Sequence, residues 1–213
     1  MKLLAIGAHL DDIELGCGGT IARAVAHGAT AKMLVMSRSA YANFDGQVLR
    51  TDDEALAEGR EAARRLGVTD LEVLDFHTKD IPHESETVEA IDRIVSGFRP
   101  DLILTHWAFD THQAHEGVSR STISAARWCR SILMYEPMPP SGRSWVGFRP
   151  QTYVEIGGQI EVKIDSLRAH ASQLRKYGEG WLDAVRARAV YRGFETGHSH
   201  AEAFEVLRYG LEV

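Results

Sequence analysis

Short apolar runs that end in glycine or charged residues alternate along this chain with segments of helical periodicity, and no other feature restricts the fold as much. Leu3-Leu4-Ala5-Ile6-Gly7-Ala8 is a continuous apolar run of the kind buried on both faces of a parallel sheet. Gly18 to His27 can carry a helix entered through a glycine-rich turn, and Ala31-Lys32-Met33-Leu34-Val35-Met36 supplies a second buried strand. A helix marked by Ala55, Ala62 and Leu66, closed by Gly67, precedes a strand at Leu71 to Leu74. Val88, Ile91, Val95 and Phe98 recur at helical spacing until Arg99-Pro100 stops them, and Asp101 to Thr105 follows as a strand. A helix from about His115 to Trp128 and a strand at Ser131 to Tyr135 continue the series. The expected fold class is therefore α/β: a Rossmann-like three-layer α/β/α arrangement with a mostly parallel sheet.

Beyond Tyr135 the pattern changes. Pro137, Pro139, Pro140, Ser141 and Gly142 make an irregular stretch, and Gln151 to Glu155 reads as a separate strand. Ile160, Ile164, Leu167, Ala171 and Leu174 mark one amphipathic helix, and Leu182, Val185 and Ala189 mark another. No repeat or long linker divides the 213 residues, so a single domain is expected, with a core over 1–136 and a loop-rich cap with C-terminal helices over 137–213.

Composition narrows the function classes. With 44% hydrophobic and 25% charged residues the chain is of ordinary globular make-up, which excludes a disordered or fibrous protein. A net charge of −6 provides no basic field to attract nucleic acid or an anionic membrane. Cys17 and Cys129 cannot form a disulfide framework, no apolar run approaches the roughly 18 residues of a membrane span, and Met1-Lys2 leads into no signal-peptide pattern. A soluble, cytoplasmic protein is the expectation.

In parallel α/β sheets ligands bind outside the carboxyl ends of strands, so the polar residues after each buried run carry the most weight. After the first run, His9, Asp11, Asp12 and Glu14 lie close together; after the strand ending at Thr105 come His106, Asp110, His112, His115 and Glu116. A histidine and a carboxylate three residues apart, with a histidine from another strand, make a three-ligand site for Zn2+ or Fe2+ with an open position, and His9, Asp12 and His115 fit that description. Asp11 is then placed to deprotonate a water at the open position, and His112 to support a developing oxyanion. Blander readings stand beside these. Asp11 and Asp12 suit a helix N-cap, Cys17 suits packing under the turn, and Gly16-Cys17-Gly18-Gly19 does not complete a dinucleotide fingerprint. His106 either lines the pocket or only hydrogen-bonds in the core, and His27, His77, His83 and His170 have no partner visible in the sequence.

The segment from Ala8 to Gly19, Ala-His-Leu-Asp-Asp-Ile-Glu-Leu-Gly-Cys-Gly-Gly, resembles the A-H-P-D-D-x-x-x-G-x-G-G signature of the PIG-L/LmbE-like N-deacetylases. Asp110-Thr-His112-Gln-Ala-His115 resembles that family's D-x-H-x-D-H segment, and Tyr135-Glu136-Pro137, Ser172-Gln173 and Ala201 to Phe204 recur at similar relative places. The resemblance implies His9, Asp12 and His115 as metal ligands, Asp11 as general base and His112 as support for the tetrahedral intermediate. It also implies removal of an acyl group, usually acetyl, from an amino sugar or its conjugate. Leu10 departs from the family's proline, with an expected change in turn rigidity. Ala114 stands where an acidic residue precedes the last histidine, which removes an outer partner able to orient a ligand or tune His112. The family's arginine before the second helix aligns with Ala55, and Arg50 is a candidate substitute.

Arg38, Arg50 and Arg143 are loop candidates for holding a substrate phosphate or carboxylate, and His106, Asp110 and His198 join them as candidate substrate contacts. Phe44, Trp107, Trp145 and Phe148 suit either a face for a sugar ring or ordinary packing. The expected activity is a metal-dependent amidohydrolase taking a small amino-sugar substrate, with no nucleic-acid or membrane partner and self-assembly left open. Two other readings remain at this point: a deacylase or deformylase of a non-sugar amine, and a sugar or sugar-nucleotide binding protein that has lost turnover.

Overall fold

Each apolar run of the first half becomes a strand feeding a helix. In the computed structural model, which describes residues 1–210, β1 (Lys2–Gly7) leads into α1 (Asp12–Ala26) and β2 (Thr30–Ser37). A short hairpin of β3 (Tyr41–Ala42) and β4 (Val48–Arg50) precedes α2 (Asp52–Arg65) and β5 (Asp70–Phe76). The chain continues through α3 (Ser85–Phe98), β6 (Leu102–Thr105), α4 (Gln113–Ala125) and β7 (Ser131–Tyr135). Then come β8 (Thr152–Glu155), α5 (Ile160–Arg168), α6 (Ala171–Tyr177), α7 (Gly180–Phe194) and β9 (Ala201–Arg208).

The main sheet has seven strands in the order β5-β2-β1-β6-β7-β9-β8. From β5 to β7 the pairings are parallel; β9 pairs antiparallel with both β7 and β8. Alternation along β1 separates two apolar layers. Leu3 and Ala5 face a core with Ile13, Ile21 and Met33, whereas Leu4 and Ile6 face one with Ile91, Ile103 and Val118. The sheet is thus covered on both faces, as continuous apolar strands require. The chain leaves β1 for β2 and β5 on one side, then returns to β6 on the other, so a topological switch point opens between the ends of β1 and β6.

Three departures from the sequence expectations have local causes. Helix α1 starts at Asp12 rather than near Gly18 and bends at Cys17, whose φ of −147° is not helical. The single helix expected from Ile160 to Leu174 is broken into α5 and α6, because His170 leaves helical geometry to bond inside the protein. The strand at 152–155 is not separate: it joins the main sheet through β9, a strand whose apolar pattern is interrupted by the buried Glu202 and Glu205. Among the described residues no helix is long and apolar enough to cross a membrane.

Candidate metal and active site

At the end of β1 the chain makes a turn from His9 to Asp12, closed by the Asp12 N–H donating to the His9 carbonyl at 3.3 Å. Asp11, the second central residue of that turn, has φ +140°, a conformation that strains any side chain. Asp12 opens α1 and points its Oδ2 back to accept from the His9 N–H at 2.7 Å. Across the switch point, His106 follows β6, His112 caps the N-terminus of α4 and His115 lies in its first turn. Close packing fixes these elements. A Cβ on Gly16 would lie 2.2 Å from the Tyr135 ring, and one on Gly117 would lie 1.8 Å from the Ile81 carbonyl oxygen.

Three side chains converge there. His9 Nδ1 is 3.2 Å from Asp12 Oδ2 and 3.2 Å from His115 Nε2, and His115 Nε2 is 3.3 Å from Asp12 Oδ1. Outward hydrogen bonds set which ring nitrogen faces inward. His9 Nε2 donates to the Thr78 carbonyl at 2.7 Å, and His115 Nδ1 donates to Asp110 Oδ2 at 3.0 Å, so each ring presents its other nitrogen to Asp12.

Asp110 is therefore an orienting group for His115. Its side chain is 0% exposed, and its other oxygen accepts from the His112 and Gly142 N–H groups at 3.0 Å each. Asp110 is thus an outer partner of His115 in its own right, while Ala114, on α4, packs in the core.

Charge states follow from these surroundings. Burial opposes ionisation of Asp12, but His115, His106 and His9 hold its carboxyl well below the usual range. Burial also opposes charge on His115, yet the Asp12 and Asp110 carboxylates lift it to about 10, which marks the point where its ring meets Asp12 as one that favours a cation. Asp11 is raised to about 6 by burial and by the adjacent Asp12 charge. His112 is lowered to about 4 by burial and by His115 and His9; its Nδ1 accepts from the Ala114 N–H at 3.3 Å, which leaves Nε2–H as a neutral donor. His106 is lowered to about 4 by burial and His115, and its Nε2 accepts from the Ala8 N–H at 3.0 Å. His106 Nε2 also lies 3.2 Å from Asp12 Oδ2, and its ring stacks on His115 with centroids 4.0 Å apart.

A cleft of about 420 Å3 opens over the cluster, with His9, Asp11, Asp12, His112 and His115 at its base. One wall is Tyr135 to Ser141, and the rim carries Tyr41, Lys79, Lys176, Tyr177 and Trp181. Arg50 sits in the wall but is 1% exposed; its Nη1 donates to the Leu10 carbonyl and its Nη2 to Glu58 and His170. The remaining charged candidates lie outside the cleft lining. Arg38 pairs with the exposed Asp75, Arg143 is exposed in the loop after β7, and His198 lies in the turn after α7 with its carbonyl against Gly193. Trp107 is buried against Phe109 and Phe148, while Phe44 and Trp145 are exposed. Cys17 is fully buried, and burial pushes its thiol up, consistent with packing.

Ser39, Thr78 and the aromatic rim are site features that the sequence reading misses. Ser39 and Thr78 follow β2 and β5, so the strand-end rule that finds His9 also reaches them.

The chain's likeness to known proteins agrees with this arrangement. The profile of the family described as PIG-L, GlcNAc-PI de-N-acetylase, matches residues 4–126. A diacetylchitobiose deacetylase of Thermococcus kodakarensis is 29% identical over 222 residues, covering 97% of this chain and 83% of that protein. An uncharacterised deacetylase of Escherichia coli, YaiS, is 32% identical over 177 residues, covering 80% of this chain and 90% of its own. Among solved structures, the conserved protein TT1542 from Thermus thermophilus superposes with a TM-score of 0.83 at 26% identity, covering 99% of this chain and 96% of that one.

Proposed function

The chain belongs to the PIG-L family, and from that membership and the cluster at the switch point we propose that it is a metal-dependent N-deacetylase of an amino sugar or amino-sugar conjugate. One observation carries the reading: two imidazoles, each locked by an outward hydrogen bond, turn their free nitrogens onto one carboxylate at the base of a cleft. His9, Asp12 and His115 would hold the ion, and two nitrogens with one carboxylate oxygen suit Zn2+, with Fe2+ as the other candidate. An ion held by these residues would supply Lewis acidity to the amide carbonyl and to the attacking water.

The chain's own residues do the rest. Asp11, turned into the cleft beside Asp12, takes the proton of the attacking water and passes it to the leaving amine. His112, neutral and protonated at Nε2, donates to the carbonyl oxygen as negative charge builds on it. The Tyr135 to Ser141 wall and the rim of Tyr41, Tyr177 and Trp181 limit access of bulk water and offer flat faces to a sugar ring. The relative named as a diacetylchitobiose deacetylase supports an N-acetylated sugar as the substrate class. Cys17 and Cys129, both free thiols, suit a reducing cytoplasm.

Elemental analysis of untagged protein should find about one zinc or iron per chain. Release of acetate and free amine from a panel of N-acetylated amino sugars should accompany it. The Asp11→Asn variant should keep its metal and lose at least about a hundredfold in kcat. Near-normal turnover in that variant removes Asp11 as the base, and absence of metal after reconstitution removes the reading as a whole.

A further inference from the structure

The turn that carries Asp11 is gripped on both sides of Leu10 by a single segment. The Leu10 N–H donates to Ser39 Oγ at 2.9 Å, and Arg50 Nη1 donates to the Leu10 carbonyl at 3.1 Å. Ser39 and Arg50 bracket the β3–β4 hairpin, so the hairpin's two feet hold one peptide unit each of the turn.

Both feet are themselves anchored. The Ser39 hydroxyl donates to the Ser37 carbonyl at 3.2 Å, and Ser37 Oγ donates to the Ala8 carbonyl at 2.9 Å, which ties the end of β2 to the end of β1. Arg50 Nη2 reaches Glu58 at 3.0 Å and His170 Nδ1 at 3.2 Å, while His170 Nε2 donates to Glu14 at 3.3 Å. Glu58 is held in turn by the N–H and hydroxyl of Ser172 at 2.7 and 2.6 Å. The guanidinium is thereby fixed by α1, α2 and the α5–α6 break.

Backbone strain collects around the same contact. Among the described residues, non-glycine positive φ values occur at Asp11 (+140°), Ser39 (+70°) and Arg99 (+52°), and the first two are joined through Leu10. Such conformations persist only where surrounding structure over-determines them. Here the two bonds to Leu10 oppose relaxation of the strained turn.

We propose that Ser39 and Arg50 are positioning residues that hold the strained His9–Asp12 turn so that Asp11 faces the reacting water. The proposal rests on the reading of Asp11 as the base. The turn's first central position, Leu10, is where proline would fix φ covalently while removing the N–H that Ser39 accepts. Proline at position 10 and the hydrogen-bonded clamp are therefore alternative ways to stiffen one turn.

That equivalence gives the test, a double-mutant cycle on diacetylchitobiose with metal content measured throughout. Ser39→Ala is the working variant, because loss of Arg50 would strand the buried Glu58 carboxylate. Ser39→Ala should lower kcat about tenfold, with KM within about twofold and metal unchanged, as expected for a misdirected base. In a Leu10→Pro background the same change should cost less than about twofold, since no N–H remains to be held. An equal loss in both backgrounds marks general packing and overturns the proposal. Turnover lost in Asp11→Asn but kept in Ser39→Ala overturns it alone; turnover surviving Asp11→Asn overturns the base and the proposal together. Amide exchange at Leu10 reads the clamp without substrate: faster exchange in Ser39→Ala supports it, and unchanged protection overturns it.

Discussion

Because α1 bends at Cys17, it presents two N-terminal ends, and each meets buried carboxylates in a different way. At the inner end, Glu202 from β9 accepts from the N–H groups of Gly19 and Thr20 at 2.9 and 2.7 Å and from the Thr20 hydroxyl at 2.6 Å. Lys163 pairs with the same carboxylate and also donates to the Leu15 carbonyl at 2.8 Å. Charge is balanced there and each carboxylate oxygen is engaged. At the outer end, Asp11 and Asp12 stand side by side, Asp11 on a strained backbone and Asp12 facing the His9 and His115 rings. A buried ionic cluster that serves stability closes on itself, whereas one that serves chemistry leaves acceptors in surplus.

The comparison breaks if the inner cluster proves dispensable. Glu202→Ala leaves the Lys163 ammonium buried and unpaired and frees two helix N–H groups, so urea unfolding should show a loss of about 3–5 kcal/mol. Metal bound per folded chain should not change. A loss under about 1 kcal/mol would place Glu202 among the exposed ion pairs in its effect. A second, smaller effect sharpens the outer end. Asp110→Asn keeps the shape but removes the charge that fixes His115 Nδ1–H, and metal affinity measured against a chelator should fall about 10- to 100-fold. Unchanged affinity would mean that α4 alone orients His115.

The same contrast explains what the sequence discloses. The strands from β1 to β7 in the main sheet are legible because each carries a short, mostly apolar segment next to a turn signal, a pattern held by neighbouring residues. β9 is not, since Glu202 looks like a surface residue until Lys163 and the bend in α1 are brought to it from far along the chain. The α5–α6 break is hidden for the same reason: His170 bonds Arg50 and Glu14. At the site, His9, Asp11, Asp12, His112 and His115 are legible because strand ends bring their segments to one crevice. The partners of Arg50 and Asp110 are not legible, because Glu58, His170 and His115 are brought to these charges only by the fold.

The smallest expected effect has the opposite sign to the first. In protein freed of metal by chelation, the Asp11 carboxyl is raised to about 6 by burial and by Asp12, so the folded state holds that proton more tightly than the unfolded chain. Below about pH 4 both states are protonated and the group contributes nothing; above about pH 6 both are ionised, and the folded state alone bears the buried charge beside Asp12. Stability from this group therefore falls as pH rises between those limits. Asp11→Asn removes the charge, and asparagine tolerates positive φ, so the variant should gain on the order of 1–2 kcal/mol at pH 7 and much less at pH 4. Thermal unfolding of both proteins at the two pH values checks it. An equal gain at both would assign the effect to backbone strain rather than charge, and a loss at pH 7 would put Asp11 in the same class as Glu202, a carboxylate the fold needs.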